Sequence, residues 1–363
     1  MKILFITRKY PPSTGGMETA AYRLYTALAA HNDVRLIKWG GSNKLLPIVY
    51  FGLLAQALWY GLTRRPDVIY LQDGIMAPLG WIVKGVLRRP TVMTIHGLEV
   101  TYQNALYRRM VIPYIGRATR LIAVSNETAR IVEQRLPGTH AEVIFNGLDD
   151  NFYDPRPRAE QLAVIARETG IPLGNLQKRK LLYTNGRLVT RKGVLWFIQH
   201  IAPKLPPNTL YLVSGDGPDR ERIQATIVRL HLEDRVKLLG RVSDEVRQAL
   251  YNAADIFVMP NIPVADDMEG FGLVALEAAS CGRMVLAAKL EGIQDAIIDG
   301  KNGRLIKPRD AAAWTRAITS ELNARSISAE AARRFTLQQY SWQRAASAYE
   351  AVMRQAAGQP ENR

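Results

Sequence analysis

Short runs of consecutive branched apolar residues recur along this chain, each separated from the next by enough sequence for a helix. In the first half they fall at Ile3–Thr7, Val34–Lys38, Val68–Gln72, Val92–His96, Leu121–Ser125 and Val143–Phe145. Runs that are apolar at every position, not at alternate ones, predict strands covered on both faces, as in a parallel sheet. Between them lie segments with apolar residues three and four apart, such as Thr19–Ala30 and Asn126–Arg135, which predict helices. The alternation is that of βαβ units. It breaks at Asp149–Arg158, a polar stretch with two prolines, and such punctuation marks a linker. It then restarts at Leu181–Asn185, Leu210–Ser214, Val236–Leu239, Ile256–Met259, Met284–Ala287 and Arg304–Ile306. The predicted architecture is α/β: two Rossmann-like, doubly wound parallel-sheet domains spanning residues 1–160 and 178–340. A final helix within 341–363 is expected to pack back on the first domain. Ligands of such sheets bind outside the carboxyl ends of the strands, so two facing domains predict a cleft between those ends.

Composition changes this picture little. A length of 363 residues with 47% hydrophobic and 22% charged side chains suits two globular cores. The last residues, Ala357–Arg363, are small, polar and unpatterned and are expected to be disordered. The single cysteine, Cys281, excludes an intrachain disulfide framework and points to a reducing compartment. Met1–Lys2 runs straight into a strand with no signal-peptide pattern, so a cytoplasmic protein is expected. One stretch, Leu45–Leu62, carries no charge and approaches spanning length. Pro47, Gly52, Gln56 and Gly61 interrupt it, and the expected structure is a buried helix in preference to a membrane span.

Charge adds a partner class. The net charge of +15 raises the local concentration of anions, whether phosphorylated ligands or an acidic membrane surface. Nucleic acid is not expected, because zinc-finger spacing, aromatic RNA-binding motifs and dense Lys/Arg runs are all absent from the sequence. Most basic residues come as scattered pairs, such as Arg64-Arg65 and Arg88-Arg89, typical of solvated faces. Tyr102–Arg120, where arginines alternate with apolar residues, has the pattern of a basic amphipathic helix that lies on an anionic membrane, or of a core helix with extended arginines.

Four elements carry candidate chemistry. The first is Glu269-Gly270-Phe271-Gly272-Leu273-Val274-Ala275-Leu276-Glu277, which follows a strand and a polar loop. Its glycines permit a tight turn and close backbone approach. The free amides of a helix starting near Leu273 suit a diphosphate. Eight helical residues would separate Glu269 from Glu277 by about 12 Å, a span that suits two carboxylates gripping hydroxyls at opposite ends of one molecule. The second is Asn185-Gly186-Arg187-Leu188-Val189-Thr190-Arg191-Lys192-Gly193. Here Arg187 can fork two phosphate oxygens while Lys192 adds a compact charge, with Arg191 a neighbour of unassigned role. The third is the loop Pro11–Glu18, whose Gly15-Gly16 pair precedes a helix and offers amides to an anion. The fourth is Thr94-Ile95-His96-Gly97, at a strand end. Ser214-Gly215-Asp216-Gly217 imitates part of a dinucleotide fingerprint but lacks its third glycine, which argues against NAD. Asp266-Asp267 is read as a solvated acidic loop and not as a metal site.

Together these motifs resemble family 4 retaining glycosyltransferases of the GT-B fold, over nearly the whole chain. The resemblance implies that Glu269 holds donor-sugar hydroxyls, that Glu277 holds the ribose, and that Gly270, Phe271, Gly272 and Leu273 approach sugar and phosphate with their backbone. It implies that Arg187 and Lys192 hold the diphosphate and stabilise it as it departs. Gly15 and Gly16 would contact the donor from the first domain, and His96 would position the transferred sugar. Gly215 would border the nucleotide, and the backbone of Val242 would meet its base. The activity implied is retaining hexosyl transfer from a UDP- or GDP-sugar to a hydroxyl acceptor that is lipid-linked, a polysaccharide or a small molecule. No cofactor or catalytic metal is expected, since Arg and Lys supply the countercharge. Two other readings keep the same fold: a nucleotide-sugar epimerase or hydrolase, which would consume donor without acceptor, and a catalytically silent membrane-associated binding protein, which would turn nothing over.

Overall fold

The computed structural model describes residues 1–13, 15–41 and 45–359. Thr14, in the Pro11–Glu18 loop, lies outside them, as does the expected disordered tail from Pro360 on. The chain forms two compact units. The first comprises Met1–Gly147 with Tyr340–Arg363, and the second Leu148–Gln339. Where the sequence reading carries the first domain to residue 160, the first unit ends at Gly147, and the helix Arg158–Thr169 belongs to the second.

The first unit is built on β1 (Lys2–Thr7), β2 (Asp33–Lys38), β3 (Val68–Leu71), β4 (Thr91–Ile95), β5 (Arg120–Ala123) and β6 (Ala141–Val143). All pair in parallel, in the order β2-β1-β3-β4-β5-β6. Ile3, Leu4, Phe5 and Ile6 are all fully buried, the direct consequence of helices covering both faces. The last strand is shifted two residues from its predicted place. It is a short edge strand in which only Ala141 is buried, so the apolar run Val143–Phe145 was the weaker guide. The helix Trp342–Ala356 is capped by Ser341 Oγ, which accepts from Arg344 N at 3.2 Å. Its Trp342, Tyr349 and Met353 join Ile3, Phe5, Tyr70 and Ile122 in one core. Gly147 lies so close to Trp342 that a Cβ would strike its ring, which fixes where the chain leaves this unit.

The second unit repeats the plan with β7 (Lys180–Asn185), β8 (Thr209–Ser214), β9 (Val236–Gly240), β10 (Ile256–Met259), β11 (Met284–Ala288) and β12 (Arg304–Ile306). The order is β12-β11-β10-β7-β8-β9, again all parallel. Leu181, Tyr183, Leu212, Phe257 and Val285 lie in its core. Two of its helices start on side-chain caps, where Ser243 Oγ accepts from Val246 N at 3.3 Å and Asp310 Oδ1 from Ala313 N at 2.9 Å, each worth about 1 kcal/mol.

Two helical expectations are corrected. Tyr102–Arg120 is not one amphipathic helix. Short helices at Leu98–Thr101, Ala105–Met110 and Ile112–Ile115 replace it, with Asn104 capping the second through Tyr107 N and Pro113 unable to continue it. Leu46–Arg64 is a helix, but not a buried one. Leu53 and Ala57 are buried, whereas Ile48, Phe51, Trp59 and Leu62 are 74%, 73%, 67% and 63% exposed. Among the described residues no helix is long and apolar enough to cross a membrane.

Candidate active site

In the second unit the loops that leave β7, β8 and β10 are sewn together by backbone. After β7 the chain runs through a single 3-10 turn, Thr190–Lys192, into Gly193 at φ 69°. A Cβ on Gly193 would run into Pro260 O, and Ile262 N donates to Arg191 O at 2.9 Å. Gly215, at φ 123°, sits equally close to Gly186 O. Alanine there would meet both a forbidden φ and a backbone oxygen. We expect Gly215→Ala to cost at least ~2 kcal/mol, read as a lower urea midpoint at unchanged slope.

Glu269 lies on the loop before the helix Leu273–Ser280 and its carboxylate is the centre of a buried ionic cluster. Its Oε2 accepts from Arg191 Nη1 at 2.6 Å, Lys192 Nζ at 2.7 Å and Asn261 Nδ2 at 3.0 Å. The side chains of Arg191, Lys192 and Glu269 are 9%, 12% and 13% exposed. Burial works against the carboxylate's charge, but Lys192 and Arg191 outweigh it and hold the pKa down at about 2. Burial likewise lowers the pKa of Lys192, against the pull of Glu269. Glu269 is therefore ionised at any working pH, with Oε1 left for other donors. Its folded pKa is depressed, so its contribution to stability is present above the ordinary value of 4.5 and is lost as pH falls toward 2.

Of the pair predicted from sequence, both members lie at the end of β7, near enough for the Arg187 charge to act on Lys192. Lys192 joins Glu269, while Arg187 stands exposed one residue beyond Gly186. Arg191, left without a role by the sequence, is the buried guanidinium. Its Nε donates to Asp267 Oδ1 at 2.9 Å, so Asp267 is an ion-pair partner and not merely a solvated loop residue. The fork ties the β10 loop to the β7 loop. We expect Arg191→Ala to lose about 2–3 kcal/mol, since it takes one of two cations from buried Glu269 and the ion pair from Asp267, which keeps some solvent; chemical denaturation measures it.

Glu277 stands in the second turn of the helix Leu273–Ser280, as predicted. It receives the Tyr251 hydroxyl on Oε2 at 2.5 Å. Tyr251 accepts in turn from Asn185 Nδ2 at 3.0 Å, and Asn185 Oδ1 accepts from Ser214 Oγ at 3.0 Å. Burial raises the Glu277 pKa, and the Tyr251 hydrogen bond offsets it in part. Tyr251 escaped the sequence reading because a Tyr in a helix of this periodicity reads as core. Gly270 lies against Gly292, where a Cβ would meet Gly270 O. Gly292 N donates to Glu269 O at 3.2 Å. Phe271 is buried, and Gly272 at φ 98° turns the chain into the helix that begins at Leu273. Val242 follows β9, whose last residue Gly240 accepts from Gly215 N at 2.7 Å. It lines a cavity of about 400 Å³ with Lys237, Leu239, Arg241 and Val246, and none of Lys192, Glu269 or Glu277 borders it.

Gly15, Gly16 and His96 belong to the first unit. Gly15 caps the helix Gly16–Ala29, with the carboxylate of Glu18 folded over it and held by Lys9 Nζ at 2.9 Å. His96 leaves the end of β4, its Nε2 3.0 Å from Gln72 O and its backbone N donating to Glu99 Oε2 at 3.1 Å. The neighbouring Arg8–Asp73 pair, 3.3 Å apart, completes a polar floor that sequence spacing had not suggested. Among the described residues no three of His, Cys, Asp or Glu are grouped to hold a metal ion. Cys281 is buried, and burial pushes its thiol up to about 12, which makes it an inert core residue.

Two parallel Rossmann-like units, with a glycine-rich carboxylate site at the strand ends of the second, define the GT-B class. The chain matches the model for Glycosyltransferase Family 4 over residues 14–152 and that for Glycosyl transferases group 1 over residues 170–342. It belongs to the group 1, family 4 glycosyltransferases, and is an enzyme of that kind. It is 25% identical over 380 residues to an uncharacterized glycosyltransferase of Methanocaldococcus jannaschii, covering 94% of this chain and 95% of that one. It is 26% identical over 349 residues to the GDP-mannose-dependent alpha-(1-6)-phosphatidylinositol monomannoside mannosyltransferase of Mycolicibacterium smegmatis, covering 87% and 88%. The fold is shared with Anabaena HepE, solved in complex with UDP, at a TM-score of 0.78 and 23% identity over 98% of this chain and 100% of that one.

Proposed function

We propose that this glycosyltransferase moves a hexosyl group from a UDP- or GDP-sugar, held by the second unit, to a hydroxyl of a lipid-linked acceptor, with retention of configuration. The observation that carries the donor half is the Glu269 carboxylate. Three donors converge on one oxygen and the other is left open, beside a lysine and a glycine-rich helix start. Glu269 then takes sugar hydroxyls on Oε1, Lys192 turns to the diphosphate, and Arg191 and Asn261 keep the carboxylate satisfied while it does so. Arg187, exposed and flexible in reach, adds the second phosphate contact. Glu277 accepts the ribose hydroxyls. The bond from the anomeric carbon to the diphosphate breaks as the bond to the acceptor oxygen forms on the same face. The acceptor's proton passes to the departing phosphate. Arg187 and Lys192 stabilise the charge that develops there.

The names of two relatives support the donor class, one using GDP-mannose and the other solved with UDP. The basic surface supports an anionic membrane as the place of transfer. A thermal-shift panel of UDP- and GDP-sugars tests the donor, followed by acceptor trials with the sugar that binds. Stabilisation by one nucleotide-sugar, and its loss in Glu277→Ala, is the expected result. No shift with any of them, or a full shift in Glu277→Ala, would overturn it.

A further inference from the structure

The helix Leu46–Arg64 is two-faced. Leu53 and Ala57 belong to the core of the first unit, and Gly61 lets Leu87 of the next helix, Ala77–Leu87, pack directly on its backbone. On the other side Ile48, Phe51, Ala55, Trp59 and Leu62 fall three and four residues apart and so form one stripe. All five are exposed. No charged residue occurs from Leu46 to Thr63, although the solvated face of a water-soluble helix ordinarily carries charge. A stripe of this composition marks a contact surface.

Its surroundings state the chemistry of the partner. Arg64 and Arg65 end the helix, and the Gly61–Leu87 contact brings Arg88 and Arg89 to the same end. The neighbouring helix exposes Trp81 and Val86, and Arg117 stands over the Trp81 ring at 5.3 Å. Between Val34 and Asn126 the chain holds twelve Lys and Arg against three Asp and Glu. Each of the three acids is turned to a partner within the unit: Asp67 to Lys2 N, Asp73 to Arg8, and Glu99 to His96 N. Exposed apolar side chains with Trp among them, and a rim where Arg35 and Arg64 outnumber Asp33 around Tyr60, are what an interfacial helix presents to acidic lipid. A second copy of the chain would set one basic rim against another, in a protein of net charge +15.

We propose that the outer face of the Leu46–Arg64 helix, with the arginines at its C-terminal end, is the surface by which this enzyme docks on an anionic lipid bilayer. The proposal rests on the membrane reading given above and deepens it by naming the element. It replaces the Tyr102–Arg120 segment, whose helix is broken, as the membrane contact.

The test is co-sedimentation with phosphatidylcholine vesicles, with and without about one third phosphatidylglycerol, at low and high salt. Wild type is expected to bind the acidic vesicles only, more weakly in high salt. Phe51→Ser/Trp59→Ser is expected to lower that binding about tenfold or more, with unchanged thermal midpoint and unchanged stabilisation by the donor. Arg64→Gln/Arg65→Gln is expected to remove much of the salt dependence, and Leu106→Ser/Met110→Ser to bind as wild type. Wild type that ignores acidic vesicles overturns the membrane reading itself. Wild-type binding that survives Phe51→Ser/Trp59→Ser overturns only the assignment to this helix. A dimer in sedimentation velocity that this double variant dissociates gives the face to a second copy and overturns it too.

Discussion

Glu269→Ala is expected to reduce kcat/KM for transfer by about 10³ and at the same time to destabilise the fold by about 3 kcal/mol. The two effects share one cause. The carboxylate is the anion that Lys192 and Arg191 share, 2.7 and 2.6 Å away, in a place where all three side chains are nearly excluded from water. Removing it leaves two buried cations without the carboxylate they share, though Asp267 stays paired with Arg191 and Glu291 and Glu277 still act on the pair. Glu269→Gln separates the contributions. An amide keeps the shape and a hydrogen-bond acceptor but not the charge, so the folding loss should shrink while transfer stays strongly impaired. The pH dependence carries the same signature. With a native pKa of about 2, wild type should lose stability from Glu269 as pH falls from about 4.5 toward 2, and Glu269→Gln should show a shallower decline. Turnover in Glu269→Gln within twofold of wild type at saturating donor would remove Glu269 from the mechanism.

What the sequence revealed of this arrangement follows from how each signal arises. Strands buried on both faces leave continuous apolar runs, so all twelve were placed within two residues at each end by their runs alone, with the edge strand Ala141–Val143 the one drawn off by two at both ends toward its apolar neighbours. Glu269, Glu277 and the glycines were legible because a strand, a tight turn and a helix start lie contiguously in the chain. Arg191, Asp267 and Tyr251 were not, since their partners stand 78, 76 and 26 residues away, and pairing across such separations is created by packing β7 beside β10. The Leu46–Arg64 helix shows the limit of a hydrophobicity pattern. Apolar residues all round predict burial, yet the pattern does not say whether protein or some other apolar phase covers the second face.

Tyr251→Phe is expected to act through pH more than through stability. In the native protein the Tyr251 hydroxyl donates to Glu277 and so favours its ionised form, against a burial that raises its pKa. Without that hydroxyl the Glu277 pKa rises further, and Asn185 Nδ2 loses its acceptor. Ribose hydroxyls are donors that need a carboxylate, so donor binding weakens wherever Glu277 is protonated. The acid limb of kcat/KM for donor should therefore move to higher pH, with donor KM rising along that limb and changing little at pH 8.5. The folding sign runs opposite to that of Glu269. A raised native pKa gives stability that is present below the ordinary value of 4.5 and is lost as pH rises through the native pKa. Glu277→Gln should thus melt higher than wild type at pH 8 and no higher at pH 4, while binding donor poorly at both. A Tyr251→Phe profile parallel to wild type across the whole range would show that the hydroxyl merely fills space, and that the cations of Arg247 and Lys192 alone hold Glu277 ionised against its burial.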